Sequence, residues 1–274
     1  MIFLEATWAE VLGNKLFMSK ISGIVIAKNE EVDLPDCLES LVWVDELVVV
    51  DNDSIDETAK IAKKYKAKIF SYKKEASTGK FSAIRNYAAL KSSGDWLLYI
   101  DADERVGRKL KEEIQKTIKE RHDNNAYAIP RKNILLGKEM KYGGWSPDYV
   151  LRLIKKSSLD GWEGELHEQP KITGSVGKLT ERFTHITHTN LHEMLEKTNK
   201  WSEIEARLLY DSKHPRMNIF RFATAGLREF WYRGVRKMGF LDGSVGIIEI
   251  IYQTYSRLIT YSKLWEMQIK KNQQ

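Results

Sequence analysis

The chain has 274 residues, 42% apolar and 30% charged, with 17 Gly, 5 Pro and a single cysteine, Cys37. This is a globular composition, sufficient for one large domain or two small ones; it excludes a disordered chain, a collagen-like repeat and an internal disulfide framework. The net charge is +6, and from Lys200 onward thirteen Lys/Arg face seven Asp/Glu, so the whole excess sits in the last quarter.

Residues 1–17 read as an N-terminal extension, because Met18-Ser19-Lys20 stands like a second start directly before a strand. The extension carries Glu5 and Glu10 and lacks the basic leader of a secretory signal, so the expected compartment is the cytoplasm. Ile21–Ala27 is a short β-branched apolar run, the pattern of a buried strand. Leu34, Leu38 and Leu41 then recur at helical intervals over 31–41. A second buried strand, Glu46–Val50, ends at Asp51; Ser54 signals a helix start, and the helix runs over 58–65. A strand over 67–70, a helix over 81–90, a strand over 95–100 and a helix over 106–119 follow. Such alternation predicts an α/β fold with a mostly parallel sheet covered on both faces, ligands binding at the carboxyl ends of its strands.

After residue 120 the rhythm changes. Tyr127–Arg131 and Tyr149–Ile154 read as strands around a Gly/Trp-rich loop, 143–148, and 161–190 reads as loop and short strand. From Leu191 the pattern is helical, over roughly 191–211, 217–236 and 244–269. The expected domains are the extension 1–17, a catalytic domain 18–190 and a helical C-terminal region 191–274. No apolar run reaches the roughly 18 residues that a spanning helix needs.

Three polar clusters fall at strand ends: Asn29-Glu30, Asp51-Asn52-Asp53-Ser54 and Asp101-Ala102-Asp103-Glu104. In a parallel sheet these loops share one edge, where gathered carboxylates repel one another unless a cation or a donor-rich ligand sits among them. Oxygen ligands favour a divalent metal, Mg²⁺ or Mn²⁺, with a diphosphate completing the shell.

The stretches 26–31, 44–58, Arg85-Asn86 and 94–104 stand in an order that resembles family-two glycosyltransferases, which are inverting, metal-dependent enzymes of GT-A fold. The segments 148–153, 164–168 and 197–201 resemble the acceptor side of a bacterial branch that includes lipopolysaccharide core β-glucosyltransferases. The resemblance implies a nucleotide-sugar donor, UDP-glucose favoured, and a saccharide or lipid-linked acceptor. It places Asn29 and Glu30 beside the nucleotide, Asp51 and Asn52 at the base, Arg85 at the diphosphate and Asp101 at the ribose, with Asp53 grouped among the substrate-binding residues. Many relatives have a second Asp where this chain has Asn52. Asp103 becomes the metal ligand, joined by a late histidine, His188 first and His185 second; a structural hydrogen-bonding role is the plain alternative for both. His192 extends their spacing to that of a helical zinc face, but 183–189 alternates like a strand.

Inversion by single displacement needs a carboxylate that takes the acceptor's proton. Glu168 of His167-Glu168 is the expectation, with Asp148 and Glu165 as competitors, and the alternative is that Glu168 pairs with an arginine such as Arg152. Arg152 and Trp145 are grouped with the substrate-binding residues, and Trp145 and Trp162 are expected to stack on sugar rings. Cys37 is expected to pack rather than react.

The basic, aromatic C-terminal quarter, around Phe230-Trp231-Tyr232-Arg233, suggests contact with an anionic membrane surface, which implies a peripheral enzyme on the cytoplasmic face of the inner membrane. No nucleic-acid motif accompanies the charge, so nucleic acid is not an expected partner. A polyprenyl-phosphate glycosyltransferase and a catalytically silent binding module are the other readings.

Overall fold

The computed structural model describes residues 19–73, 81–120, 123–164 and 168–271. The extension 1–17, Glu165 and His167 lie outside the described residues. The chain forms two compact units, one of residues 1–131 and 149–184, the other of 132–148 and 185–274.

The first unit is built on the strands β1 (Ile21–Ala27), β2 (Glu46–Asp51), β3 (Lys68–Ser71), β4 (Trp96–Asp101) and β5 (Glu104–Arg105), with β6 (Ala126–Leu135) starting in it. Helices α1 (Leu34–Glu39), α2 (Thr58–Lys64), α3 (Phe81–Lys91) and α4 (Arg108–Lys119) alternate with them. Strands β1–β4 pair in parallel in the order β3-β2-β1-β4. β8 (Tyr149–Lys155) then adds antiparallel to β4, and β6 antiparallel to β8. This is the α/β, mostly parallel sheet expected from the sequence.

Both faces of the sheet are covered, so its central strands are apolar throughout. In β4, Trp96, Leu98 and Ile100 join one core with Leu34, Leu38, Leu110 and Ile114, while Leu97 and Tyr99 join another with Ile24, Val48, Ile84 and Trp162. The region 161–190 holds more strand than expected: β9 (Leu159–Glu163) and β10 (Gln169–Ile172) form an antiparallel pair, followed by β11 (Val176–Lys178) and β12 (Phe183–His188). The short sequences of β9, β10 and β11, interrupted by Gly, Pro or charge, carry little apolar periodicity, and cross-strand pairing makes up the difference.

The second unit contains the hairpin of β6 with β7 (Lys138–Glu139), and helices α5 (Leu191–Asp211), α6 (Ile219–Phe230) and α7 (Gly243–Lys271). Asn190 and Asn218 cap α5 and α6, their side chains accepting from the N–H groups of Glu193 and Arg221. The helix expected over 217–236 is α only to Phe230; a wider π turn follows over Trp231–Arg236. The segments 132–148 and 185–190 cluster with these helices. Leu135, Met140 and Met194 form one core there, with Trp145, Val245 and Tyr252 packed against it. No described helix is long and apolar enough to cross a membrane.

Candidate functional site

The parallel register pairs Ala27 with Asp51 and Ile26 with Asp101, so the loops after β1, β2 and β4 leave from one edge of the sheet. The first two loops are zipped together. The Asn29 N–H donates to Ser54 Oγ at 2.9 Å, the Ile55 N–H to Asn29 Oδ1 at 2.9 Å, and the Glu30 N–H to Thr58 Oγ1 at 2.8 Å. Asp51 Oδ1 accepts from the Ser54 N–H at 3.2 Å. Asn29 and Asp53 have positive φ, 56° and 60°, which short polar side chains tolerate best. Asn29 and Asp51 thus brace the edge, Asn52 is partly covered and Asp53 is exposed.

Asp101, Arg85, Arg152 and Glu168 come together in the first unit. Arg85 donates from Nε to Glu168 Oε1 at 3.0 Å and from Nη2 to Asp101 Oδ1 at 2.9 Å. Arg152 Nη2 donates to Asp101 Oδ2 and to Glu104 Oε1, the latter at 2.6 Å. Partial burial works against the Asp101 charge, but the Arg152 and Arg85 guanidinia outweigh it and hold the carboxyl far below the usual range. Burial works against the Arg152 cation likewise, and Asp101 and Glu104 hold it firmly protonated. Arg85, Asp101, Arg152 and Glu168 line a cavity of about 230 Å³ together with Tyr149 and Trp162. Arg152 Nε is buried without a hydrogen-bond partner.

Trp162 is buried, its ring 4.8 Å from the Arg85 guanidinium carbon and 4.8 Å from the Tyr99 ring. Its backbone is clamped by Asn86, which accepts from the Trp162 N–H at 2.7 Å and donates to its carbonyl at 3.1 Å. Trp162 therefore serves Arg85 as a platform, where sequence suggested a sugar-stacking surface. The alternative that Glu168 pairs with an arginine holds, but the arginine is Arg85 instead of Arg152. Cys37 is buried, its thiol pushed well up by burial and donating to the Asp101 carbonyl at 3.4 Å, consistent with packing.

The remaining expected residues lie in the second unit, apart from Asp103, which is half-buried in the loop after β4. Asn133, 1% exposed, donates from Nδ2 to Asp148 Oδ2 at 2.9 Å and to the Trp145 carbonyl at 3.2 Å. Its Oδ1 faces His185 Nδ1 at 2.7 Å. Because the Asn133 amide points its N–H groups at oxygens, its Oδ1 is the acceptor and His185 Nδ1 the donor of this pair. The His188 ring lies edge-on to Tyr252, 6.2 Å between centroids. Trp145 packs on the Leu135, Met140 and Met194 core. Among the described residues no three His, Cys, Asp or Glu side chains gather as a metal cluster.

Sequence reasoning gave no role to Glu104, Asn86 or Asn133. Glu104 is fully buried and also accepts from the Asp101 N–H at 2.9 Å, so it fixes both the strand end and Arg152. Its only sequence signal is its place at the end of an acidic run; Asn86 follows Arg85 in a matched motif, and Asn133 has no signal.

Comparison with known proteins places the chain in a family. The family model described as Glycosyl transferase family 2 matches residues 22–169, more than half of the chain. An uncharacterized glycosyltransferase of Rickettsia typhi is 27% identical over 265 residues, covering 92% of this chain and 89% of that protein. The lipopolysaccharide core biosynthesis glycosyltransferase LpsC of Rhizobium meliloti is 28% identical over 259 residues, covering 90% and 92%. The crystal structure of S. aureus TarS 1–349 in complex with UDP-GlcNAc covers 92% of each chain at 16% identity, with a TM-score of 0.46. The family match defines a sugar-transferring enzyme, carried on a mostly parallel α/β sheet. The chain belongs to glycosyl transferase family 2.

Proposed function

We propose that this glycosyltransferase moves a hexose, glucose favoured, from a nucleoside-diphosphate sugar, UDP-glucose favoured, to a lipopolysaccharide-core or other lipid-linked saccharide, with inversion. The observation that carries this is the cavity at the carboxyl ends of the strands, where Arg85 and Arg152 meet Asp101 and Glu168. Guanidinium groups are suited to a diphosphate, and a carboxylate beside them to a proton from the acceptor. The name of the R. meliloti relative favours a lipopolysaccharide-core acceptor. Work at the cytoplasmic face of a membrane, reached through the basic, aromatic C-terminal region, follows from that acceptor.

In this reading the acceptor oxygen attacks the anomeric carbon while the bond to the diphosphate breaks and its electron pair leaves with the nucleoside diphosphate. Arg85 turns from Glu168 to the diphosphate and stabilises the departing charge. Glu168, released, takes the acceptor's proton. Asp101 and Arg152 hold the nucleotide side, with Asn29, Glu30, Asp51, Asn52 and Asp53 forming the edge beside the base. The donor set suits a hard cation only in part: Asp103 offers carboxylate oxygens, whereas the Asp101 carboxylate is turned to its arginines. Asp103 would hold Mg²⁺ or Mn²⁺, and the metal would supply charge neutralisation at the diphosphate.

Calorimetric titration of UDP-glucose, UDP and ADP, each with Mn²⁺ and with EDTA, tests the reading. Manganese-dependent uridine binding supports it. Preference for ADP moves the donor to another nucleotide sugar, and no binding in any condition overturns the donor assignment. A polyprenyl-phosphate acceptor is the second reading, separated by an acceptor screen.

A further inference from the structure

The second unit exposes an apolar stripe along α6 and the wide turn after it. Phe220, Leu227, Trp231 and Val235 are 79%, 67%, 61% and 44% exposed, at spacings that return to one side of the helix at each turn. A water-facing stripe this apolar marks a surface with a partner. One residue beyond three of its members stand Arg221, Arg228 and Arg236, a cationic row alongside the apolar one. Among the described residues none of these three arginines pairs with a carboxylate. The nearby Glu229 instead accepts from Arg233 Nε at 2.6 Å and faces Arg257 Nε at 3.4 Å.

Behind the row is a groove of about 490 Å³, lined by Arg228, Arg236 and Arg257 and by the rings of Trp231, Tyr232 and Tyr261. Three guanidinium groups against one carboxylate leave the groove electropositive. Guanidinium forks fit phosphate oxygens, and Trp and Tyr favour the boundary between headgroups and acyl chains. We propose that this groove is a headgroup site, taking the phosphate of an anionic bilayer lipid while Phe220, Leu227, Trp231 and Val235 enter the bilayer surface.

The pairing of features selects the occupant. A nucleic acid would match the arginines and leave the apolar stripe in water. A second copy of the chain would bring the same cationic row and repel it. An anionic bilayer satisfies both rows at once. The proposal rests on the membrane reading above and adds to it a defined lipid-phosphate site.

The test is flotation of the full chain with phosphatidylcholine vesicles, with and without phosphatidylglycerol. Arg228→Gln/Arg236→Gln is compared with Arg207→Gln/Lys213→Gln, which removes two exposed cations off α6 and its turn. The groove pair is expected to lose roughly thirtyfold in partitioning onto phosphatidylglycerol vesicles, and the control pair about threefold or less. Phe220→Ser/Trp231→Ser is expected to weaken binding to both vesicles. All six positions are exposed, and circular dichroism of each variant is expected to match the parent. Equal losses from the two arginine and lysine pairs would overturn the headgroup site while leaving membrane binding intact. A parent chain that floats with neither vesicle would overturn the membrane reading and the site with it.

Discussion

Arg85 and Glu168, 83 positions apart in sequence, meet through one hydrogen bond of 3.0 Å, from Nε to Oε1. The same guanidinium reaches Asp101 at 2.9 Å and lies over Trp162, so a single cation joins two carboxylates and an aromatic platform. The guanidinium occupies one oxygen of Glu168, and a diphosphate is an anion that would compete for the same donor. Under the proposed function, donor binding and the release of Glu168 are coupled.

The coupling gives a kinetic prediction. Glu168→Gln is expected to bind the donor as the parent does and to lose transfer by about 10²–10⁴-fold in single-turnover assays. Asp148→Asn is expected to lose less. If Asp148→Asn is inactive while Glu168→Gln turns over, the base is Asp148, held in place by Asn133.

The buried Arg152–Glu104 pair gives a stability prediction. Glu104 is 0% exposed and Arg152 5%. Glu104→Leu strands part of a buried cation and is expected to destabilise by about 3–5 kcal/mol, read from the urea midpoint. Glu104→Leu/Arg152→Met is expected to regain much of that loss, because it removes the uncompensated charge along with its partner. Strict additivity of the two single losses would show that the pair is not energetically coupled.

Glu249 gives a pH prediction. It is 2% exposed on α7, and burial pushes its carboxyl up to about 7, although the Gln253 amide and the Arg233 charge pull the other way. The folded state therefore holds a proton that the unfolded state releases near 4.5. Stability contributed by this group is full below 4.5 and falls as pH rises towards 7. Glu249→Gln is expected to abolish that slope and to raise stability above pH 7 by up to about 3 kcal/mol, as thermal melts across the range would show. A parent whose melting point does not depend on Glu249 across this window would refute it.

Gly94 gives a packing prediction. A Cβ there would lie 2.7 Å from the Ser22 N and Oγ atoms and 2.9 Å from the Lys20 carbonyl. Gly94→Ala must push β1 and β4 apart at their start and is expected to destabilise by about 1–3 kcal/mol. Unchanged denaturant midpoints would mean that the strand ends yield freely.

The sequence by itself determined the alternating elements of the sheet and the acidic edge. Buried parallel strands such as Ile21–Ala27 and Trp96–Asp101 need unbroken apolar runs, and the polar residues that end those runs fall at the carboxyl ends. It also carried the family, because the stretches 26–31, 44–58, Arg85-Asn86 and 94–104 follow one another in order along it. Only the tertiary structure decided which charge meets which. Glu168 finds Arg85 rather than Arg152 because α3 and the start of β10 converge on one cavity, a long-range contact with no periodic signature. Glu104 and Asn133 were silent for the same reason: a buried polar side chain is defined by its partners, and those partners lie tens of positions away. The grouping of 132–148 with the C-terminal helices was decided there too, since Leu135 and Met140 carry no mark in sequence of the Met194 they pack against.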